Sequence, residues 1–450
     1  MEMPRRLEAA LAILLVLFSL SGVFDHGLWG TNDTRGAGIV LDMARHGTWV
    51  VGTINGADFL DKPPLTYWAA LIFAGLFGGV TEGIARLPCA LAGLGTLLLM
   101  RRLVKDPLAA WAGVFLCATT VTFLGYARSV MTDMPLTFCV TFALFLFWRA
   151  EAGSSRSAWR WMPFLFAAAV SFYAKAFVGP ALIWCAVGMY LLVTRRWKLL
   201  LGLAAGFLPL LAAAVLPWIA ALGRARGATA LRYVFWDNQF GRFFSLPRDP
   251  GLVWGPLAAH KEPWFYYLVN LPAAIGSAVF LLAAALVAWW RPSSAYRDRF
   301  STFVRCAMGG MFLLIQASTS KVAVYALPLF PFFLIATGIW LADFARRERP
   351  ALFESVLAWL FFGTWALVVV AVPVACIAAT RLRPELFLPS EGLGPGRFVL
   401  AGSLCLAAVV LAIAVLARRV ARGPRALVVP LLPVALTLLV FLDYQLVLPL

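Results

Sequence analysis

Charged residues are scarce in this sequence of 450 residues: 13% are Asp, Glu, Lys or Arg, against about 25% in a typical soluble protein. Hydrophobic residues make up 62%, the mean hydropathy is +0.86, and apolar runs of about 20 residues recur along the chain. These runs are apolar on every side and do not alternate, so they exclude both a soluble globule and a transmembrane barrel. The composition therefore predicts an all-α, polytopic membrane protein.

Sequence motifs of nucleotide-binding enzymes and of two classes of hydrolase are also absent. The sequence contains no Walker A motif, no dinucleotide-binding GxGxxG after a strand, no HExxH and no GxSxG. The seven cysteines stand singly in apolar stretches, so we expect neither disulfides nor cysteine-ligated metals. The net charge of +17 comes from short basic clusters between apolar runs, which argues against nucleic acid as a partner. A membrane enzyme without a nucleotide needs an activated donor, and a sugar on a polyprenyl phosphate meets that need.

The apolar runs predict thirteen transmembrane crossings. They lie near residues 7–24, 83–100, 108–127, 134–149, 161–175, 178–194, 199–222, 267–290, 300–317, 323–344, 351–378, 398–417 and 426–447. Every second connection is basic, which predicts a cytoplasmic N-terminus and an outer C-terminus. Segment 64–79 is apolar but starts with aromatic residues and ends in glycines, so we expect a helix lying on the outer leaflet. No linker divides the chain, which predicts a single domain over residues 1–450.

Three segments on the predicted outer face carry acids close to bases, and ionisable groups at such a depth are functional candidates by default. In WGTNDTRGAG, Asp33 lies two residues before Arg35; it could hold this arginine, act as a base beside it, or form a solvated ion pair. In NGADFLDKPPLTYW, Asp61 and Lys62 precede two prolines, so the lysine either meets a lipid phosphate or only snorkels to the surface. In RSVMTDMPL, Asp133 is a candidate acid or the cap of the helix that follows.

Further polar groups are expected at the same depth. They are Lys175, Asn238, Arg242, His260, Lys261, Lys321 and Tyr325. A cavity ringed by these cations together with Arg35 and Lys62 would attract an anion carried by a lipid, most simply a phosphate. The acids of the same layer, Asp33, Asp61 and Asp133, would then handle a proton or a metal.

The run from WGTNDTR through Met43, with HGTW, NGADFLDKPPLTYW and ARLPCALAG, resembles the first outer loop of the protein O-mannosyltransferase and aminoarabinose transferase superfamily. These proteins are GT-C glycosyltransferases that use lipid-linked sugars. ARSVMTDMPL, FYAKAFVGP, DNQFGRF, HKEPWFYYL and SKVAVYALPLFP are similar to the later landmarks of that family, in the same order. The resemblance covers about residues 20–345 and implies a GT-C fold with juxtamembrane helices in the first outer loop. Residues 346–450 match only as additional hydrophobic helices, and no soluble periplasmic domain is expected.

The sequence departs from the family pattern at one catalytic position. Asn32 stands where the family usually has the acid assigned to catalysis. Either Asp33 or Asp133 replaces that acid as general base, or the acceptor is already an anion and needs no base. A third alternative is that the chain is an inactive relative.

Other matched positions imply ligands for the donor and for a metal. Arg35, Lys62 and Tyr325 match residues suited to the donor phosphate, and the shared membrane depth adds Lys261 and Lys321 as expected phosphate ligands. Asp61 and His260 match positions that hold a divalent metal in the aminoarabinose transferases. One carboxylate and one imidazole make an incomplete zinc set, which substrate phosphate or water would have to complete.

The resulting hypothesis is a glycosyltransferase that moves a sugar from undecaprenyl phosphate to a periplasmic, lipid or protein acceptor, with inversion at the anomeric carbon. We expect a monomer in the bacterial inner membrane, with its active site facing the periplasm. Its expected cofactor is a divalent metal (zinc, magnesium or manganese), without nucleotide. The rivals are a transporter or lipid flippase, which would be expected to show paired halves and charges at the bilayer midplane, and an inactive lipid-binding relative, which Asn32 favours.

Overall fold

The computed structural model describes residues 3–24, 27–28, 30–155, 157–246, 260–291, 296–361 and 363–364. Its helices are α1 (Arg5–Leu20), α2 (Gly30–His46), α3 (Leu65–Phe77), α4 (Glu82–Leu103), α5 (Pro107–Ala118), α6 (Val121–Ala127), α7 (Asp133–Ala152), α8 (Met162–Val170), α9 (Phe172–Lys175), α10 (Val178–Val193), α11 (Trp197–Arg232), α12 (Arg242–Phe244), α13 (Tyr266–Ile275), α14 (Ala278–Trp290), α15 (Arg299–Ala317), α16 (Phe330–Arg346) and α17 (Leu352–Phe361). A π-helix covers Tyr233–Gly241, and 3-10 turns cover Ala158–Trp161 and Ala323–Leu329. Strands β1 (Gly52–Ile54) and β2 (Ala57–Phe59) form one antiparallel hairpin. The predicted helical class is confirmed.

Within these residues, five helical stretches are long and apolar enough to cross a membrane, or up to seven if each of two bent pairs is one span. The bent pairs are α5 with α6, at 71°, and α13 with α14, at 119°. They cover the predicted crossings near 108–127 and 267–290, which are therefore broken rather than continuous. Hydropathy does not report the direction of the backbone, and Gly276, with a φ of 68°, ends α13 inside an unbroken apolar run.

The count of thirteen crossings and the orientation of the termini stay predictions. The crossings near 398–417 and 426–447, and much of that near 351–378, lie outside the described residues.

Close helix packing holds the bundle together where side chains are smallest. Helices α5 and α16 approach until a Cβ on Gly338 would lie 2.3 Å from the carbonyl oxygen of Ala109. On the opposite helix, a Cβ on Gly113 would lie 2.7 Å from the carbonyl oxygen of Leu334. Small residues allow such backbone contact in membrane helices, where dispersion replaces the hydrophobic drive.

The basic clusters used for orientation meet at one end of the bundle. Glu151, buried at the end of α7, accepts hydrogen bonds from Arg196 at the start of α11 and from Arg299 at the start of α15. Asp133 lies at the other end of α7, a helix of 20 residues and hence about 30 Å long. The two chemically distinct faces that the sequence predicts are therefore present as two ends of the bundle.

Residues 30–77 form a folded unit rather than an open loop. Helix α2 packs its apolar residues Ile39 and Met43 against α3. The hairpin between them turns at Asn55 and Gly56, which have φ of 51° and 76°, as a type I′ turn requires. The predicted interfacial helix at 64–79 is α3; its 13 residues reach about 20 Å, too short for a span of about 30 Å.

Candidate functional site

A cavity of about 300 Å³ opens between the loop before α3, the turn from α9 to α10, the π-helix and the end of α15. Its polar lining includes Asp61, Lys62, Lys175, Asn238, Arg242 and Tyr325. Its apolar lining includes Phe177, Val178, Leu182, Phe243, Leu314 and Ile315. The apolar lining residues belong to the membrane helices α10 and α15. The cavity therefore has a cationic end and an apolar wall.

Lys62 is the cation most available to a ligand. It lies in the loop between β2 and α3, where two prolines precede the first turn of the helix. Among the described residues it forms no ion pair, whereas its neighbours Lys175 and Arg242 each have a carboxylate partner. Burial, followed by the charges of these two cations, lowers the pKa of Lys62 to about 7, although Asp133 and Asp61 oppose the shift. An anion entering the cavity would supply the missing counter-charge.

Lys175 joins two predicted site residues. Its amine donates to a carboxylate oxygen of Asp133 at 2.6 Å, and both side chains are buried. The same amine lies 4.2 Å from the ring centroid of Tyr325, a cation–π contact. Tyr325 and Lys175 both line the cavity, whereas Asp133 does not.

The π-helix holds Asp61 from one side. The hydroxyl of Tyr233 donates to one carboxylate oxygen of Asp61, and the guanidinium of Arg242 donates to the other at 3.3 Å. The side-chain amide of Asn238 donates to the main-chain oxygen of Asp61 at 2.6 Å. Because residues five apart share one side of a π-helix, Tyr233 and Asn238 both face this loop. These contacts fix the backbone directly before Lys62.

Asp33 does not occupy the place expected of a base beside Arg35. It is buried and accepts hydrogen bonds from the guanidinium of Arg86, at 2.8 and 3.3 Å, and from the backbone N–H of Val130 at 2.8 Å. A Cβ on Gly36 would lie 2.3 Å from the carbonyl oxygen of Val130, so this glycine lets α2 approach closely. Asp33 thus joins α2 to α4 and to the loop before α7, and it does not line the cavity.

Asn32 and Arg35 pair with each other on the exposed side of α2. The guanidinium of Arg35 donates to the side-chain oxygen of Asn32 at 2.5 Å and lies 5.8 Å from the ring centroid of Phe59. Neither residue lines the cavity. Asp33 and Arg35 therefore do not pair with each other, because residues two apart point to different sides of α2. Asp33 pairs with Arg86 instead, and Arg35 with Asn32. Their predicted roles in catalysis and in donor binding stay predictions.

The remaining predicted cations lie beside the cavity and not in it. Lys261 is exposed and lines a separate open depression, together with the buried Lys321. The amine of Lys321 donates to the carbonyl oxygen of Ser318 at 2.5 Å, and its backbone N–H donates to the carbonyl of His260. Ser318 lines both the depression and the cavity. Neither lysine lines the cavity, and their predicted roles in donor binding stay predictions.

The donor set does not fit a preassembled metal site. Among the described residues, no group of three or more His, Cys, Asp and Glu side chains could hold an ion. The carboxylate of Asp61 is already engaged by Tyr233 and Arg242, and the exposed His260 does not line the cavity. The divalent metal stays a prediction of the resemblance, and no step below passes through it.

Sequence reasoning missed two partners in this region. Arg86 is fully buried in α4 and donates to Asp33 and to the carbonyl oxygen of Gly27. Tyr233 contacts Asp61 across 172 positions of sequence. A signal for Arg86 does exist, since an arginine inside an apolar helix needs a buried partner. Tyr233 has no such signal.

The fold and the site define a helical membrane protein with a cation-lined cavity that continues into an apolar wall. The family described as dolichyl-phosphate-mannose-protein mannosyltransferase matches residues 61–223. The solved structure of ArnT from Cupriavidus metallidurans bound to undecaprenyl phosphate has the same fold, with a TM-score of 0.71 and 20% identity over 98% of this chain and 77% of that chain. The predicted resemblance is confirmed as a likeness: residues 61–223 are similar to this glycosyltransferase family, and the chain has the fold of ArnT.

Two relatives are named as undecaprenyl phosphate-alpha-4-amino-4-deoxy-L-arabinose arabinosyl transferases. That of Pseudomonas aeruginosa is 33% identical over 296 residues, or 64% of this chain and 52% of the relative. That of Pectobacterium atrosepticum is 28% identical over 409 residues, or 88% of this chain and 69% of the relative. The chain thus spans about half the length of the first curated relatives it matches.

Proposed function

We propose that the chain is a glycosyltransferase that moves a sugar from a polyprenyl phosphate, such as undecaprenyl phosphate, to an acceptor at the membrane surface. The observation that carries this proposal is Lys62, which has no ion-pair partner among the described residues and lies at the cationic end of an otherwise apolar cavity. The names of the relatives support the same donor class. In line with the sequence, we place the enzyme in the inner membrane as a monomer, with its cavity open to the periplasm.

In the proposed donor complex, the phosphate lies at Lys62, and the polyprenyl chain follows the apolar residues of α10 and α15. Lys175 and Arg242 lie close enough to Lys62 to lower its pKa, so their charges also act on a phosphate bound there. Cations already fixed at the place where charge develops stabilise a transition state without reorganisation. Here the developing charge is that of the leaving polyprenyl phosphate.

The transfer is proposed as a single displacement. An oxygen of the acceptor attacks the anomeric carbon, the bond from this carbon to the phosphate oxygen breaks, and the configuration inverts. The leaving phosphate keeps the electron pair of the broken bond. The polyprenyl phosphate is then free to leave along the apolar wall.

The acceptor we propose is an anion, because the described acids near the site are already engaged. Asp33 is bound to Arg86, Asp133 to Lys175, and Asp61 to Arg242. A hydroxyl acceptor needs a carboxylate free to take its proton. A phosphate-type oxygen arrives ionised and needs none, which is compatible with Asn32 in the place of the usual acid.

The test is turnover by the purified protein. The protein is incubated with undecaprenyl-phosphate sugars, among them 4-amino-4-deoxy-L-arabinose, and with phosphorylated and hydroxylated lipid acceptors; free undecaprenyl phosphate and the glycosylated acceptor are measured. Release that depends on a phosphorylated acceptor is expected, and Lys62→Met should abolish it. Release with hydroxyl acceptors alone would contradict the anionic acceptor.

A second candidate is a lipid-phosphate-binding protein without transfer, which Asn32 at the usual acid position favours. It predicts binding of undecaprenyl phosphate that depends on Lys62, but no product with any donor. Turnover with any donor excludes it.

A further inference from the structure

Resting on the proposed function, we infer that Lys175 is a further ligand of the donor phosphate and that Asp133 positions this lysine instead of acting as a general base. The inference concerns a lysine to which the family resemblance assigns no role. It also gives Asp133 a different role from the one considered for it above.

Lys175 lines the cavity, and its amine contacts two neighbouring side chains. Asp133 lies behind it at 2.6 Å, and the ring of Tyr325 lies beside it at 4.2 Å. Lys175 and Tyr325 line the cavity together with Lys62, and Asp133 does not. The lysine thus stands between the carboxylate and the space that a ligand would fill.

The backbone directly after Lys175 has an unusual conformation. Ala176 is fully buried and has a φ of 50°, a conformation that side chains other than glycine seldom adopt. This turn ends α9 at Lys175 and starts the next helix at Val178, so that the lysine, Phe177 and Val178 all line the cavity. Strained residues of this kind persist where the surrounding structure holds them and are concentrated at functional sites.

The chemistry of the pair decides between the two roles of Asp133. The carboxylate oxygen of Asp133 that accepts the Lys175 ammonium at 2.6 Å is already occupied, which favours a positioning role. An ammonium has three donors, and one of those of Lys175 is used by Asp133. The others are available to a phosphate oxygen on the cavity side.

The experiment measures the Kd of the full chain in nanodiscs for undecaprenyl phosphate, which cannot react, and kcat and KM with the sugar-loaded donor. The variants are Lys175→Met, Lys175→Arg, Asp133→Asn and the double variant Asp133→Asn/Lys175→Met. The double variant removes both buried charges and leaves neither uncompensated, so it keeps the test valid if a single variant fails to fold.

We expect the Kd to rise about 10–100-fold in Lys175→Met, the size of one lost charge-assisted contact. Lys175→Arg should recover part of this loss. Asp133→Asn should also raise the Kd and the KM, and the double variant should be no worse than Lys175→Met alone, because the carboxylate acts through the lysine.

Two results would overturn the inference. One is an unchanged Kd in the folded double variant, which would remove Lys175 from the phosphate site. The other is Asp133→Asn with an unchanged Kd and a kcat lowered by about 10²–10⁴, the mark of a lost general base. If the unmodified chain does not bind undecaprenyl phosphate, the proposed function itself fails; if binding depends on Lys62 but not on Lys175, only this inference fails.

Discussion

Replacing Asp33 by asparagine separates a structural acid from a catalytic one. In the structure, Asp33 and Arg86 form an ion pair in which the arginine side chain is 0% exposed and the aspartate 4%. Asparagine can still accept the N–H of Val130, but it removes the carboxylate charge that Arg86 contacts at 2.8 Å. Removing one partner of a buried ion pair costs about 3–5 kcal/mol, because the other charge stays buried and loses that partner.

The free energy of unfolding is measured by chemical denaturation in detergent micelles, and turnover is measured on the folded fraction. We expect Asp33→Asn to lose about 3–5 kcal/mol of stability while the folded protein keeps its turnover within severalfold. The matched control is Asp58→Asn, which breaks the pair with Arg226, whose side chain is 39% exposed. That change should cost less than about 1 kcal/mol. Unchanged stability in Asp33→Asn with turnover reduced by about 10²–10⁴ would refute the structural role and restore the general base.

Three further predictions concern the donor and the topology. Lys62→Met should lower turnover by at least about a hundredfold, whereas Lys261→Met, which alters the neighbouring depression, should leave donor binding unchanged; equal losses would contradict the placement of the phosphate. Because burial and neighbouring cations lower the pKa of Lys62 to about 7, its ammonium form declines as the pH rises through this value. The affinity for an undecaprenyl-phosphate hexose, a phosphodiester whose charge is constant in this range, should therefore fall between about pH 6 and about pH 8. Lys62→Arg, whose guanidinium stays charged, should remove this dependence, and an identical pH profile in that variant would exclude Lys62 as its source. In intact cells a cysteine introduced at Arg45 should react with a membrane-impermeant thiol reagent and one at Arg297 should not; the reverse pattern would invert the topology.

Hydropathy predicts the straight helices of this bundle well. The crossings expected near 83–100, 134–149 and 300–317 correspond to α4, α7 and α15, within a few residues at each end. Their apolar residues extend over the length needed to span a bilayer, so composition is sufficient to find them. The bends between α5 and α6 and between α13 and α14 escape such reasoning, because the apolar run continues through each turn.

Within residues 30–77, the local sequence predicts the hairpin but not the tertiary contacts that stabilise α2. The Asn55-Gly56 turn is a strong local signal for a hairpin, since both positions need positive φ. Helix α2 has no long apolar run that would mark it as a helix, because its sequence is polar and contains glycine. Its stability comes from packing against α3 and from the pair of Asp33 with Arg86, 53 residues away. Tertiary contacts of this range leave little trace in local sequence.

The candidate site was partly predictable. Lys62, Lys175, Arg242 and Tyr325 all line one cavity, as expected of polar groups at one membrane depth. Membrane depth alone cannot tell which cations share a cavity, and Lys261 lines the depression next to it. Likewise, the partner of each acid depends on the direction of its side chain, and the order of the motifs along the sequence does not reveal that direction.

The central claim, that the cavity holds a polyprenyl phosphate with its phosphate at Lys62, is tested most directly by photo-crosslinking. The probe is an undecaprenyl phosphate analogue with a photoreactive group on the isoprenoid unit next to the phosphate, and mass spectrometry locates the adducts. The account predicts adducts within residues 177–182 of α10 and 314–318 of α15, lost when unmodified undecaprenyl phosphate competes or when Lys62 is replaced by methionine. Adducts confined to the outer surface of α11, or adducts at α10 and α15 that neither change removes, would contradict it.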